Sequence, residues 1–286
     1  MRSFLAGLIL LVGAVAVPVA TAGWWARETL IPADAYVATV APLAHDKAVR
    51  SAVETALTRR TLAAVDQVPG VPEALGSRLD PVVRLAAHRV VASPSFAKVW
   101  RHANRDLHRQ AVRVLAGGQR SVQVGQGATV DVRLDLTDLV RHELETLHLP
   151  AGLPLPRVEV SVPVGSVQGL HRARTGYRLV DTWGRVLPIV ALALILVGIL
   201  LARRRAAALA WTAVGALVGL GALAVALLVG REAYLHATAA GFPRPAAAAA
   251  FDTVVSGLWR DIGVVALVAA VVAVACAFVA RARRDR

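Results

Sequence analysis

Residues 186–202 read VLPIVALALILVGILLA and residues 206–229 read AAALAWTAVGALVGLGALAVALLV, with Arg203-Arg204-Arg205 between them. Neither run holds a charge. A helix rises about 1.5 Å per residue, so each run comes close to crossing a hydrocarbon core of about 30 Å. The first is at the short end and is expected to borrow a turn from Trp183 and Arg185. Ala, Val and Leu follow one another without strand alternation, and a lone segment in lipid satisfies its backbone only as a helix. The spacing therefore predicts two spanning helices joined as an antiparallel hairpin. Three arginines in the turn mark that side as cytoplasmic by the positive-inside bias.

Outward from this pair toward the C-terminus, residues 230–261 are expected to form an extracytoplasmic loop. Phe242-Pro243-Arg244-Pro245 breaks it, residues 246–259 are helical, and Trp259 returns it to the interface. Residues 262–280 form the last span, and the basic tail 281–286 is cytoplasmic. Toward the N-terminus, residues 4–22 form the first apolar run, behind Arg2. Trp24-Trp25 has the character of an interfacial anchor and favours a retained helix, whereas Ala20-Thr21-Ala22 with Pro18 leaves a cleaved signal peptide as the alternative. Arg2, the triple arginine and the tail fall on one side when four spans are counted. Both termini are then cytoplasmic, and residues 23–185 lie outside the plasma membrane.

Composition agrees with this division. The chain of 286 residues is 56% hydrophobic, with a mean hydropathy of +0.57, too apolar for an ordinary soluble domain. Its formal net charge is +13. The basic residues are split between the domain and the helix ends, where lipid orientation accounts for them, so no nucleic-acid partner is implied. The single cysteine, Cys276, lies in an apolar run and makes no internal disulfide, so the domain must be held by packing.

Within residues 23–185 the periodicity is mainly helical. Asp34 is placed to cap a helix over 35–43, and His45 or Asp46 another over 47–65 that buries Ala48, Val49, Ala52, Val53, Ala56 and Leu57. Val68-Pro69-Gly70-Val71-Pro72 reads as a turn, and residues 73–91 as a helix that Asp80-Pro81 breaks in two. Ser93-Pro94 opens a helix that ends at Gly117-Gly118. Residues 120–125 and 128–136 alternate around Gly125-Gln126-Gly127 as a hairpin, Thr137 caps a helix to 147, and Val158, Val160, Val162 and Val164 mark a strand after a proline-rich turn. The expected class is a membrane α-helical protein: four transmembrane helices and a mainly α extracytoplasmic domain carrying a small β-sheet (α+β).

The helix over 94–116 is the most organised soluble stretch. Phe96, Trp100, Asn104 and His108 recur every four residues, so they share one stripe. Arg101, Arg105, Arg109 and Arg113 form a second stripe one residue round. Two readings stay open. In one, the first stripe forms a binding groove and the arginines face an anionic group such as an anionic lipid or cell-wall polymer. In the other, the aromatic stripe packs into the core and the arginines are a solvated face.

Other motifs carry no chemistry. His142 and His148, six residues apart, are about 240° apart on a helix and cannot share a zinc ion there, so the His142-Glu143 pair lacks the metalloprotease spacing. Gly165-Ser166-Val167-Gln168-Gly169 lacks the nucleophile-elbow spacing. No glycine-rich loop with lysine accompanies Gly125-Gln126-Gly127. No metal, no cofactor and no catalytic residue is expected, and no charge interrupts the middle of a span as ion-coupled transport would require. Gly215 and Gly219 form a small-residue face that suits close helix packing, within the bundle or between copies; the oligomeric state is left open.

The order Phe96, Trp100, Asn104, His108, then Gly117-Gly118, a hairpin and three spans resembles the multi-span envelope proteins of actinobacteria that have no assigned function. The resemblance implies no catalytic residue. One span, a large outer domain and three further spans is also similar to the FtsX/MacB-like permeases, which need a cytoplasmic element to grip an ATPase. Three residues before the first span and three arginines between the second and third depart from that pattern. The expectation is a non-enzymatic envelope protein that senses, scaffolds or docks an envelope protein, anionic lipid or cell-wall polymer. The alternative is a permease subunit of an export or mechanotransmission complex.

Overall fold

The computed structural model describes residues 2–66, 73–117, 122–124, 129–135, 159–238 and 243–282. In chain order the helices are α1 (Arg2–Leu30), α2 (Ala33–Val40), a 3-10 turn (Ala41–His45), α3 (Lys47–Asp66), α4 (Glu73–Ala92) and α5 (Phe96–Leu115). Three short extended segments follow: β1 (Val122–Val124), β2 (Thr129–Asp135) and β3 (Glu159–Ser166). The chain continues through α6 (Val167–Trp183), α7 (Val186–Leu201), α8 (Arg205–Ala237) and α9 (Arg244–Ala282).

Among the described residues, three helices are long and apolar enough to cross a bilayer: Phe4–Leu30, Arg205–Ala237 and Arg244–Val279. They mark a membrane protein. The expected fourth span is present as a bent pair of helices and not as one straight helix. At 16 residues, α7 reaches only about 24 Å, and it qualifies only together with the end of α6, from which it is bent by 55°. The turn it was expected to borrow is not continuous with it. Had the helix run through, the residue 188 N–H would have bonded to the Gly184 carbonyl. Pro188 has no N–H, and its ring would collide with that carbonyl. In the first turn of a new helix the missing donor costs nothing, which is where Pro188 sits. Gly184 lies at the break, and a Cβ there would stand 2.8 Å from the Arg27 Cβ and 2.9 Å from the Gly23 carbonyl oxygen.

The hairpin of α7 and α8 is also not a packed pair. Each lies along α1, and they have far less contact with each other. Close approach explains the arrangement: Gly198 faces Leu10 and Gly13 faces Ile195 on one side of α1, while Gly215 faces Ala14 and Gly219 faces Pro18 on another. The Gly215/Gly219 face thus closes the bundle against α1. These registers make α1 antiparallel to α7 and parallel to α8. Arg231 meets Asp252 while Leu220 meets Leu258 and Ile262, so α8 and α9 are antiparallel. The start of α1, the triple arginine and the end of α9 therefore share one end of the molecule, and α2–α5 occupy the other.

Helices α8 and α9 contain 33 and 39 residues, which makes them about 50 and 58 Å long, well beyond a bilayer core of about 30 Å. The surplus of α9 is the support of the domain. Ala246 and Ala247 are 0% exposed, and Ala246 packs among Val40, Leu43, Val49 and Ala52 of α2, the 3-10 turn and α3. Small side chains let α3 approach α9 closely. Nearer the bilayer, Leu220 of α8 packs with Val255, Leu258 and Ile262 of α9. A third cluster, Ala44, Val91 and Phe96, joins the 3-10 turn, α4 and α5. Residues 246–259, expected to be helical, lie within α9, and α8 runs on to Ala237 into the expected connection.

The α+β expectation is corrected as well. Of the residues whose side chains are described, 93% are helical and none lies in a strand. The clusters above are built by helices and the 3-10 turn. Backbone pairing alone links β1 to β2 and β2 to β3, antiparallel, with a register shift between Val130 and Asp131. The class is α-helical.

Local expectations fare unevenly. Asp46 Oδ1 accepts from the Ala48 and Val49 amides at 2.9 and 3.0 Å and caps α3. Val49 and Ala52 are buried, but Leu57 is 38% exposed while Thr58 is 7% exposed, so the buried face turns. Asp34 lies inside α2 and caps nothing. Pro81 is accommodated within an unbroken α4. Ser93 Oγ donates backward to the Val90 carbonyl at 2.7 Å, and α5 starts at Phe96. Gly117 has φ 107°, as a glycine helix stop requires. The turn at 68–72, Gly125-Gln126-Gly127, the helix from Thr137 with His142, Glu143 and His148, the proline-rich turn and the tail 283–286 lie outside the described residues.

Candidate functional site

Helix α5 crosses the junction where α1 gives way to α2. The stripe at 96, 100, 104 and 108 is turned toward that junction. Phe96 is 8% exposed and its ring lies 6.1 Å from that of Trp100, tilted by 41°. The Trp100 indole N–H donates to the Val40 carbonyl at 2.9 Å. This satisfies a carbonyl at the end of α2, where the helix leaves its last acceptors without partners. Asn104 Nδ2 donates to the Trp100 carbonyl on its own helix at 2.8 Å. His108 Nε2 stands 3.1 Å from the Ile31 carbonyl, so the bond requires the Nε2–H tautomer. Its ring stacks on Tyr36, with centroids 4.3 Å apart and planes within 14°, a contact of about 0.5–1.5 kcal/mol.

The four residues therefore do not converge on one cavity. Phe96 and Trp100 join the core, Asn104 is tied to its own helix, and His108 holds the link between α1 and α2. Three residues outside the sequence expectation share that work. Tyr36 carries the stack, and burial pushes its phenol above the ordinary range, with Tyr234 adding to the shift. Tyr234 in turn lies 5.6 Å from Phe251. The spacing gave no signal for Tyr36, because α2 is too short to show a pattern of its own.

The arginine stripe divides. Arg105 Nη2 meets Asp34 Oδ1 at 2.9 Å, and its Nε is buried without a hydrogen-bond partner among the described residues. Arg101, Arg109 and Arg113 are exposed. Spaced four residues apart along a helix, successive members of the stripe are separated by about 6 Å of rise, and Asp106 is the acidic residue on the same exposed side. Other guanidinium groups serve as clamps: Arg50 donates to the Val91 carbonyl at 2.6 Å, and Arg174 to the Val114 carbonyl at 3.1 Å. Among the described residues no cluster of three His, Cys, Asp or Glu could hold a metal ion.

Two wide concavities lie elsewhere, along the spans. One of about 1080 Å³ runs between α1 and α8, from Arg203 and Arg204 past Trp211 to Gly219 and Ala222. A second of about 850 Å³ shares Pro18, Val19, Gly219 and Ala222 with it and continues past Trp25 to Trp183 and Gly184. Fold and site together define a polytopic α-helical membrane protein whose helical domain packs on the end of its own last span. Compared with known proteins, the chain matches no family model, no curated protein and no solved structure.

Proposed function

We propose that this is a non-enzymatic protein of the bacterial plasma membrane, with residues 23–185 extracytoplasmic, that docks an anionic envelope partner on the exposed face of α5. The observation that carries this reading is the division of the two stripes. The aromatic and polar stripe is used up in packing, while Arg101, Arg109 and Arg113 point away from the body. Three guanidinium groups in one row suit repeated phosphate or carboxylate groups, as in an anionic lipid or cell-wall polymer. The orientation follows from the positive-inside bias, because the triple arginine and Arg281 lie at the end opposite the domain. The likeness to actinobacterial envelope proteins, carried by Phe96, Trp100, Asn104 and His108 with Gly117-Gly118, a hairpin and three spans after them, fits this reading.

Two experiments test it. On a Cys276→Ser background, an impermeant maleimide applied to intact cells should label Arg101→Cys and leave Arg203→Cys unlabelled; the reverse pattern overturns the orientation. Charge reversal of Arg101, Arg109 and Arg113 together should abolish co-purification of the anionic partner from native membranes while the fold persists. Unchanged recovery removes the docking reading. A stoichiometric ATPase recovered with the wild-type chain would instead favour the permease alternative.

A further inference from the structure

The groove between α1 and α8 has a chemistry of its own. Its floor is made by small residues, with Gly215 against Ala14 and Gly219 against Pro18. Backbones that meet so closely leave the larger side chains to stand as walls. The lining is almost wholly apolar apart from one end, where Arg203 and Arg204 form the rim. Thr212 brings a hydroxyl to the lining, but that group donates to the Ala208 carbonyl at 2.9 Å. It therefore makes no demand for water or for a polar ligand. Among the described residues no ion pair reaches Arg203 or Arg204, and both are exposed. The first turn of α8 has no side-chain cap, so its free N–H groups add to the positive field at the same place.

We infer that this groove holds one anionic phospholipid of the leaflet that faces Arg203 and Arg204, its phosphate against those guanidinium groups and an acyl chain over Gly215. The inference rests on the reading that α1 and α8 cross a bilayer. The dimensions agree with it. From Arg204 to Gly215 the helix rises about 16 Å, close to half of a hydrocarbon core of about 30 Å. Trp211, 76% exposed, stands about 10 Å above Arg204 along the helix and forms a wall beside the upper part of such a chain.

A second copy of the protein is the competing occupant, and charge argues against it. Copies inserted in one membrane share an orientation, so pairing along this groove would set one triple arginine beside another. Like charges brought together in that way repel. A phosphate between the guanidinium groups is attracted, by charge-assisted bonds of the stronger kind.

The test uses the full-length protein, extracted in mild detergent and reconstituted in vesicles of phosphatidylglycerol mixed with phosphatidylcholine. Lipid retained after re-extraction is counted by native mass spectrometry. The wild type should keep one phosphatidylglycerol in preference to phosphatidylcholine by tenfold or more. The double variant Arg203→Gln/Arg204→Gln should lose that preference, and Ala207→Phe, which narrows the mouth from an exposed lining position, should lower retention of both lipids. Helicity and thermal midpoint check that each variant is folded. Equal retention of the two lipids by the wild type overturns the proposal, as does an unchanged preference in the double variant. A dimer that appears without bound lipid and is lost in Ala207→Phe would assign the groove to a second copy instead. None of these variants alters α5, so failure here is separable from failure of the docking reading.

Discussion

At the residue scale, the side chains that matter most are those that finish a backbone. Asp46 accepts from two amides at the start of α3, so Asp46→Ala is expected to lower stability by about 1 kcal/mol, read as a drop in the thermal midpoint in detergent. Tyr36 offers a pH test. Its phenol has a raised pKa in the folded state, so the folded chain holds the proton more tightly than the unfolded chain. The associated stability is fully present below the unfolded value of about 10 and is lost as pH rises toward the folded value. Tyr36→Phe keeps a ring against His108 and removes the titration. Its midpoint should therefore fall less steeply than that of the wild type above pH 10; parallel curves would show that Tyr36 does not govern the alkaline limb. Of the capping residues, Asp46 was legible because it stands immediately before the periodic run. Asp34 and Ser93 were not, since each has a competing partner, Arg105 and the Val90 carbonyl, that local sequence does not reveal.

At the element scale, the three long apolar helices were plain from uncharged length, while the order in which they pack was not. Hydropathy places a segment in lipid but says nothing about which neighbour it lies along. Here that choice is made by glycines spaced to match Ala14 and Pro18 on α1. The broken fourth segment was legible in Gly184 and Pro188, a flexible residue four before one that kinks or breaks a helix; uniform apolarity on either side concealed it. Gly184→Leu would force a side chain into the space held by Arg27 and the Gly23 backbone. Overpacking of this kind typically costs about 1–3 kcal/mol. The expected result is a lower thermal midpoint, with Gly184→Ala intermediate. The position of α1 against both α7 and α8 carries a further expectation, that deletion of residues 2–22 leaves no folded monomer by size-exclusion chromatography. A folded deletion variant would mean that α1 is dispensable to the bundle.

At the scale of the whole molecule, the domain and the spans are not two bodies joined by a linker. Ala246 is buried among domain helices, while the same helix carries Leu258 and Ile262 into the span cluster. Alanine-rich composition at 246–250 was visible in the sequence as helix, but the long-range burial that makes it a core was not. The clamp of Arg231 on Asp252 at 2.7 and 2.9 Å fixes α8 to α9 at this level, although both groups are exposed and the pair alone is worth little. Hydrogen exchange should therefore find the amides of 244–262 as protected as those deeper in the span. Rapid exchange confined to 244–255 would show that the domain opens separately.

The unbroken run of α9 from Arg244 to Ala282 makes it a crankshaft. One residue inserted between Gly257 and Ile262 would turn everything above it by about 100° and lift it by about 1.5 Å. The alanines at 246 and 247 would swing out of their seats, and the tail would keep its place. Seven residues, close to two whole turns, would restore the phase but lift the alanines by about 10 Å, so neither insertion leaves them seated and both should lower the thermal midpoint.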